Sequence, residues 1–200
     1  MRIALSWKGI PHGTVPVHLV RDGGQHHSES YHEMNPQELV PALADDDRVF
    51  SQSLAIIEIP EETHPDPPLL PPDFHGRAIV RSMALGIACD IHPLQNSRVL
   101  GTSAARSPRR TVRSRNGCVT GSGSASARSR SSPAGMATAS HYLYGDDVSM
   151  ADLCLAPQMY NARRYHLDLK PYPALVAIDA HLMTLPAFAS TRPEAQPDAE

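Results

Sequence analysis

The 200-residue chain is poor in cysteine, in aromatic residues, in net charge and in long apolar runs. Cys89, Cys118 and Cys154 have no paired spacing, which excludes a disulfide framework and points to reduced thiols in the cytoplasm. Aromatic residues make up 5% of the chain, and the Arg/Ser-rich run 102–140 has almost none with which to stack bases. A formal net charge of −3 excludes a global basic field for nucleic acid or membrane. No apolar run approaches the roughly 18 residues of a membrane span, and the expectation is a chain with neither leader nor span. His26 and His27 stand together without a second cluster at ligand spacing, so no metal site is expected and the pair reads as a solvated loop.

Proline, by contrast, is abundant. There are 19, and "HPDPPLLPPD" (64–73) reads as a stiff extended linker. Ahead of it, Arg2 to Ile10 predicts a helix closed by Gly9. Val15, Val17 and Leu19 alternate as in a half-buried strand. A short helix is expected around Tyr31–Met34. "LVPAL" (39–43) predicts a strand that must accommodate Pro41 at an edge or in a special backbone. Asp45–Asp47 then turn into the strand "RVFS". "SQSLAIIEIPEE" begins with cap-type residues and predicts a helix through Ile56 and Ile57, with Pro60 inside it at a cost of about 3 kcal/mol.

After the linker every readable segment is helical. Ile79, Met83, Ile87 and Ile91 form an apolar stripe. Ser149, three residues before Asp152, is a capping box at a helix start and not a catalytic pair. Cys89 and Cys154 read as core thiols, and Met150 and Met159 as gap fillers. "YPALVAIDAHLMTL" is a last helix, and the tail after Pro193 is expected to fray.

The motifs "RIAL-KGI", "NP-ELVPAL", "QSLAIIE--EETHP", "HPLQN-RVL", "ADLCLAPQ-YNARR" and "DL-PYP" resemble the zeta-class glutathione transferases, the maleylacetoacetate and maleylpyruvate isomerases. They cover residues 1–100 and 141–190. The resemblance implies an α/β plus all-α fold. A thioredoxin-like domain lacking its first strand would occupy 1–64, a linker 65–75, and a helical glutathione-transferase domain 76–200. It also implies glutathione as cofactor, a small maleyl diketo acid as substrate, a homodimer, and cis–trans isomerisation by reversible thiolate addition.

Carried over position by position, the resemblance gives His26, Val40, Gln52, Ser53, His92, Asn96, Ser97 and Arg98 as glutathione-binding residues. Val40, before a cis Pro41, would pair its backbone with the cysteinyl amide. Gln52 and Ser53 would hold the γ-glutamyl carboxylate at a helix N-terminus. Arg164 matches the ligand of the substrate carboxylate, whereas Arg98 and Arg163 could be plain surface charges. The family's serine motif would lie ahead of Met1, so no catalytic residue is assigned. The alternatives are a non-catalytic remnant of such an enzyme and a zeta-like transferase acting on α-halo acids.

One stretch departs from the family. Every charge in 101–140 is an arginine, set among serine, glycine and alanine. Read one base out of register, Gly101-Thr102-Ser103 can encode Tyr-Leu, and 116–121 can encode Trp-x-Arg-His-Trp, both family elements. Residues 102–140 are therefore expected to be a frame-shifted segment that cannot pack as native helices; the other reading is a disordered Arg/Ser segment that binds RNA or phosphate. The frame-shift reading leaves Met83, Ile87 and Leu153 exposed on the helices that flank the run. It also makes the arginines from Arg106 to Arg115 ready sites for trypsin.

Overall fold

The computed structural model describes residues 1–95, 141–196 and 199. Asn96, Ser97, Arg98 and the frame-shift reading of 102–140, with its trypsin sites, lie outside the described residues. The chain forms two compact units, Met1–Pro67 with Ser190–Glu200, and Pro68–Ala189.

The first unit begins with α1 (Arg2–Trp7), which buries Ala4 and Leu5. Gly9 follows at φ +63°, the left-handed position that ends a helix without a Cβ clash. Two 3-10 turns, Arg21–Gly23 and Gln25–His27, lead to α2 (Glu29–Met34), N-capped by the Ser28 hydroxyl. β1 (Ala42–Asp45) and β2 (Arg48–Ser51) form an antiparallel hairpin with Ala42 opposite Ser51 and Asp45 opposite Arg48. α3 (Ser53–Thr63) buries Ile56 and Ile57 and packs on α1 and on both strands.

The strand expected at 15–19 is not formed. A strand exists only through a ladder, and the only strand pair among the described residues is β1 with β2. Pro16 also removes a donor, and Val15 and Val20 stand 85% and 78% exposed.

Pro60 lies inside α3, as expected, and the helix runs past it to Thr63. The end of that helix is held by a buried lysine. Lys8 Nζ donates to His64 O (2.7 Å) and Pro67 O (2.9 Å) and pairs with Glu61 Oε2 at 2.9 Å. All three ammonium protons are thereby used, which is what a charge hidden from water requires.

The tail expected to fray is ordered past Pro193 as far as Gln196. Pro193–Ala195 form a 3-10 turn, and Arg2 Nη1 donates to Gln196 Oε1 at 3.0 Å. Gln196 Nε2 donates back to Ser190 O and Arg192 O, so one amide side chain ties this turn to α1.

The second unit is helical. Leu69 and Leu70, expected in a linker, are buried, and Leu69 O accepts the Met150 N–H at 2.8 Å. α4 (Phe74–Leu85) starts at an Asp73 cap, and Gly76 N–H donates to Asp73 Oδ1. The expected single helix is divided by a wider π turn at Gly86–Ile91 before α5 (His92–Gln95). α6 (Met150–Arg164), α7 (Pro173–Leu182) and α8 (Pro186–Ala189) follow.

α4 packs on α6, and α6 on α7. Met83, Ile87 and Leu153 are buried, which corrects the expectation that they would be exposed. The stripes of α4 and of the π turn meet α6, which gives these side chains apolar partners within the described residues. Cys154 is buried, and desolvation pushes its thiol up to about 11, as suits a core thiol. Cys89 is exposed, contrary to expectation: it lies two residues from each of Ile87 and Ile91, a spacing that rotates it to the opposite side of the helix. Among the described residues no helix is long and apolar enough to cross a membrane.

Candidate functional site

The hairpin register brings two sequence-distant segments together. Ala42 pairs with Ser51, so Val40, two residues before, and Gln52–Ser53, one and two after, lie at the same open end of the ladder. The Val40–Pro41 peptide is cis. The Val40 side chain is exposed, and among the described residues its backbone N–H and C=O have no hydrogen-bond partner.

Gln52 is the N-cap of α3 at φ +70°, ψ 114°, and its side chain caps nothing in the helix. Its Nε2 donates instead to Gln37 Oε1 at 3.4 Å. The first amides of α3 are therefore left to an external acceptor, at the positive end of an 11-residue helix. A non-glycine residue held in the left-handed region costs energy, and such strain concentrates where a site needs it.

Three side chains that the sequence reading did not single out shape the approach to Val40. Tyr31 Oη and Asn35 Nδ2 both donate to Leu39 O at 2.7 Å, and both residues are buried. Asn35 Oδ1 accepts the Gln37 N–H at 3.2 Å. Glu38, at φ +53°, accepts from His27 Nδ1 (2.6 Å) and His32 Nδ1 (2.8 Å). Those two hydrogen bonds hold its carboxyl below the usual range. The motif "NP-ELVPAL" was the available signal. It marks the segment, and only the fold shows which side chains converge on one carbonyl.

His26 is not solvated as expected. It is buried in the Gln25–His27 turn, with its ring 3.8 Å from that of His27 and its Nδ1 without a partner. Burial lowers its pKa, and the neighbouring His27 lowers it further. Gly24, at φ +101°, makes room for it: a Cβ there would fall 2.6 Å from His26 Cε1. The His27–Glu38 bond ties this turn to the segment before Val40.

In the second unit, His92 opens α5 half-buried, and desolvation lowers its pKa. Arg163 and Arg164 end α6 side by side with different fates. Arg163 Nη2 pairs with Asp179 Oδ2 of α7 at 2.5 Å. Asp179 is buried and raised by desolvation, which the guanidinium only partly offsets. Arg164 is exposed and has no partner among the described residues, a free guanidinium suited to a carboxylate.

At the other end of α6 the capping box is formed. Asp152 Oδ2 accepts the Ser149 N–H (2.8 Å) and hydroxyl (2.7 Å), and Oδ1 accepts the Leu143 N–H (2.8 Å). Its pKa is raised by desolvation against these bonds. Among the described residues no group of three or more metal-ligating side chains converges.

Residues 1–68 match the family model "Glutathione S-transferase, N-terminal domain". The chain is 44% identical to the maleylacetoacetate isomerase of Rattus norvegicus, over 99% of this chain and 88% of that one. It superposes with a TM-score of 0.87 on a holo maleyl pyruvate isomerase, described as a bacterial zeta-class glutathione transferase, at 38% identity, covering 100% of this chain and 93% of that one. It superposes at 0.89 on the maleylacetoacetate isomerase of Methylobacterium extorquens AM1 with bound malonate and glutathione, at 36% identity, covering 100% of this chain and 92% of that one.

Proposed function

The chain belongs to the maleylacetoacetate isomerase family of zeta-class glutathione transferases, and from that premise we propose that it catalyses glutathione-dependent cis–trans isomerisation of maleylacetoacetate or maleylpyruvate. The observation that carries the reading is the shared open end of the hairpin, where an unpaired Val40 backbone and an uncapped α3 N-terminus lie together.

The residues present fit glutathione. Val40 offers a free N–H and C=O to the cysteinyl amide. Gln52 and Ser53, with the first amides of α3, take the γ-glutamyl carboxylate. His26 has a buried nitrogen in want of a partner, and an imidazole N–H can donate to the glycyl carboxylate. His92, Asn96, Ser97 and Arg98 complete the glutathione-binding set by the family's pattern. Arg164 holds a carboxylate of the substrate as a charge-assisted pair, which orients the maleyl group.

Glutathione, when bound, supplies the thiol whose reversible addition across the cis double bond frees that bond to rotate. The relatives are named as isomerases of maleylacetoacetate or of maleylpyruvate, and either product would be the trans, fumaryl isomer. We place the protein in the cytoplasm, as a homodimer; sedimentation of the purified chain tests the dimer.

The deciding experiment is to incubate the purified chain with maleylpyruvate or maleylacetoacetate, with and without glutathione, and follow the cis isomer by absorbance. Glutathione-dependent conversion supports the reading. No conversion at saturating glutathione would favour a non-catalytic remnant, and turnover confined to α-halo acids would favour the transferase reading.

A further inference from the structure

The Leu39–Val40 peptide is held from one side only. Its carbonyl receives two hydrogen bonds, from Tyr31 Oη and Asn35 Nδ2, each 2.7 Å long. Both donors come from α2 and its C-cap, and both residues are buried. The bond is trans, since the cis peptides among the described residues are Val40–Pro41 and Asp66–Pro67. In a planar trans peptide the C=O and the next N–H point in opposite directions. Two donors pulling the Leu39 carbonyl inward therefore turn the Val40 N–H outward, where no protein group among the described residues meets it.

Asn35 is spent entirely on this arrangement. Its Oδ1 accepts the Gln37 N–H, its carbonyl accepts the Glu38 N–H at 2.9 Å, and its own N–H returns to Tyr31 O at 2.7 Å. Glu38 is held in the left-handed region while His27 and His32 bind its carboxylate. The segment from Asn35 to Leu39 is thus braced at three points, and Val40 emerges from it with its amide free.

We propose that Tyr31 and Asn35 are positioning residues that lock the Leu39–Val40 peptide plane, so that the Val40 N–H is pre-aimed at the extended backbone of glutathione. The proposal rests on the reading that glutathione binds along Val40. It adds what makes that edge competent: a peptide free to rotate would have to be ordered on binding, and the two buried donors complete that ordering in the free protein.

The test uses the full chain, reduced glutathione as the probe, and two variants. Tyr31→Phe removes one donor while keeping the ring in place. Asn35→Asp keeps the shape and replaces the second donor with an oxygen facing the Leu39 carbonyl. The expected result for Tyr31→Phe is a glutathione KM raised about 3–10-fold, with kcat at saturating glutathione and the KM for the maleyl substrate within twofold of wild type. Asn35→Asp, measured as folded protein, should raise the glutathione KM about tenfold or more.

The Val40 amide resonance separates the two ideas. In wild type it should shift on adding glutathione, and in Tyr31→Phe it should already be displaced without ligand. No shift in wild type overturns the Val40 reading and the proposal with it. A wild-type shift with unchanged glutathione KM in both variants overturns the proposal alone. A rise in KM matched by an equal fall in kcat would make Tyr31 merely structural, and would also overturn it.

Discussion

The N-termini of α3 and α6 present the same row of unsatisfied amides, and the fold treats them oppositely. At α6, Asp152 gathers three donors, two from Ser149 and one from Leu143, all inside the protein. At α3, Gln52 turns its side chain away to Gln37, leaves the helix uncapped and adopts φ +70°. The first end is closed and holds the helical unit together; the second is open and strained beside an unpaired Val40. Adjacent Arg163 and Arg164 repeat the contrast, one paired with buried Asp179 and one unpartnered among the described residues. Where polar groups are consumed by the protein they stabilise it, and where they are left unused they are available to a ligand.

Substitutions at these positions can break the contrast. The largest effect is expected at the closed end. Asp152→Ala strands three buried donors and should lower stability by about 3–5 kcal/mol, read from urea unfolding. Glutathione affinity of the molecules that remain folded should not change; a fall of tenfold or more would mean the closed end is not purely structural.

The two arginines should separate cleanly. Arg164→Ala is expected to raise the KM for the maleyl substrate about 10–100-fold, through loss of a charge-assisted pair worth about 1.5–3 kcal/mol, with little change in glutathione affinity. Arg163→Ala should instead cost about 2 kcal/mol of stability by leaving Asp179 buried alone, with the substrate KM unchanged. If the KM effect followed Arg163, the assignment of Arg164 would be wrong.

At the open end, Gln52→Gly should keep or raise stability by up to about 1 kcal/mol, because glycine accepts a positive φ without strain. Glutathione affinity, measured by calorimetry, should fall, since the side chain proposed to hold the γ-glutamyl end is gone. A variant both less stable and equally avid would reverse the contrast between α3 and α6.

The smallest effect concerns Glu38. Its folded pKa lies below the unfolded value of 4.5 because His27 and His32 donate to the carboxylate. The sign follows: the clamp contributes fully above pH 4.5 and is lost as pH falls through the lowered folded value. Carbon-detected titration of the Glu38 carboxyl should give a midpoint below 4.5, and His32→Ala should move it back towards that value.

Much of this contrast can be read in the residues before any coordinates. Ser149 and Asp152 stand at capping-box spacing beside an apolar run, so the closed end is a local feature. "LVPAL", three aspartates and "RVFS" announce a hairpin, yet the strand expected over 39–43 begins only at Ala42 and runs to Asp45, since Pro41 has no N–H to give a ladder. The roles proposed for Val40, Gln52, Ser53 and Arg164 came from family motifs, and the hairpin register accounts for how residues 40 and 52–53 meet. What escaped the reading depends on partners distant in the chain. Val15, Val17 and Leu19 have the alternation of a strand, yet alternation names a face and does not provide a ladder. Lys8 looks like any surface lysine until Glu61 and two carbonyls enclose it.

The sequence by itself determined the short-range elements, the caps, the cofactor class and the family, because each is written in residues a few positions apart or in motifs of fixed spacing. Only the tertiary structure decided which polar groups are spent and which remain free. Burial and hydrogen-bond partnership are properties of residues meeting from distant parts of the chain: Tyr31 and Asn35 on the Leu39 carbonyl, Arg163 on Asp179, and a Val40 amide turned outward by the peptide plane it shares with Leu39.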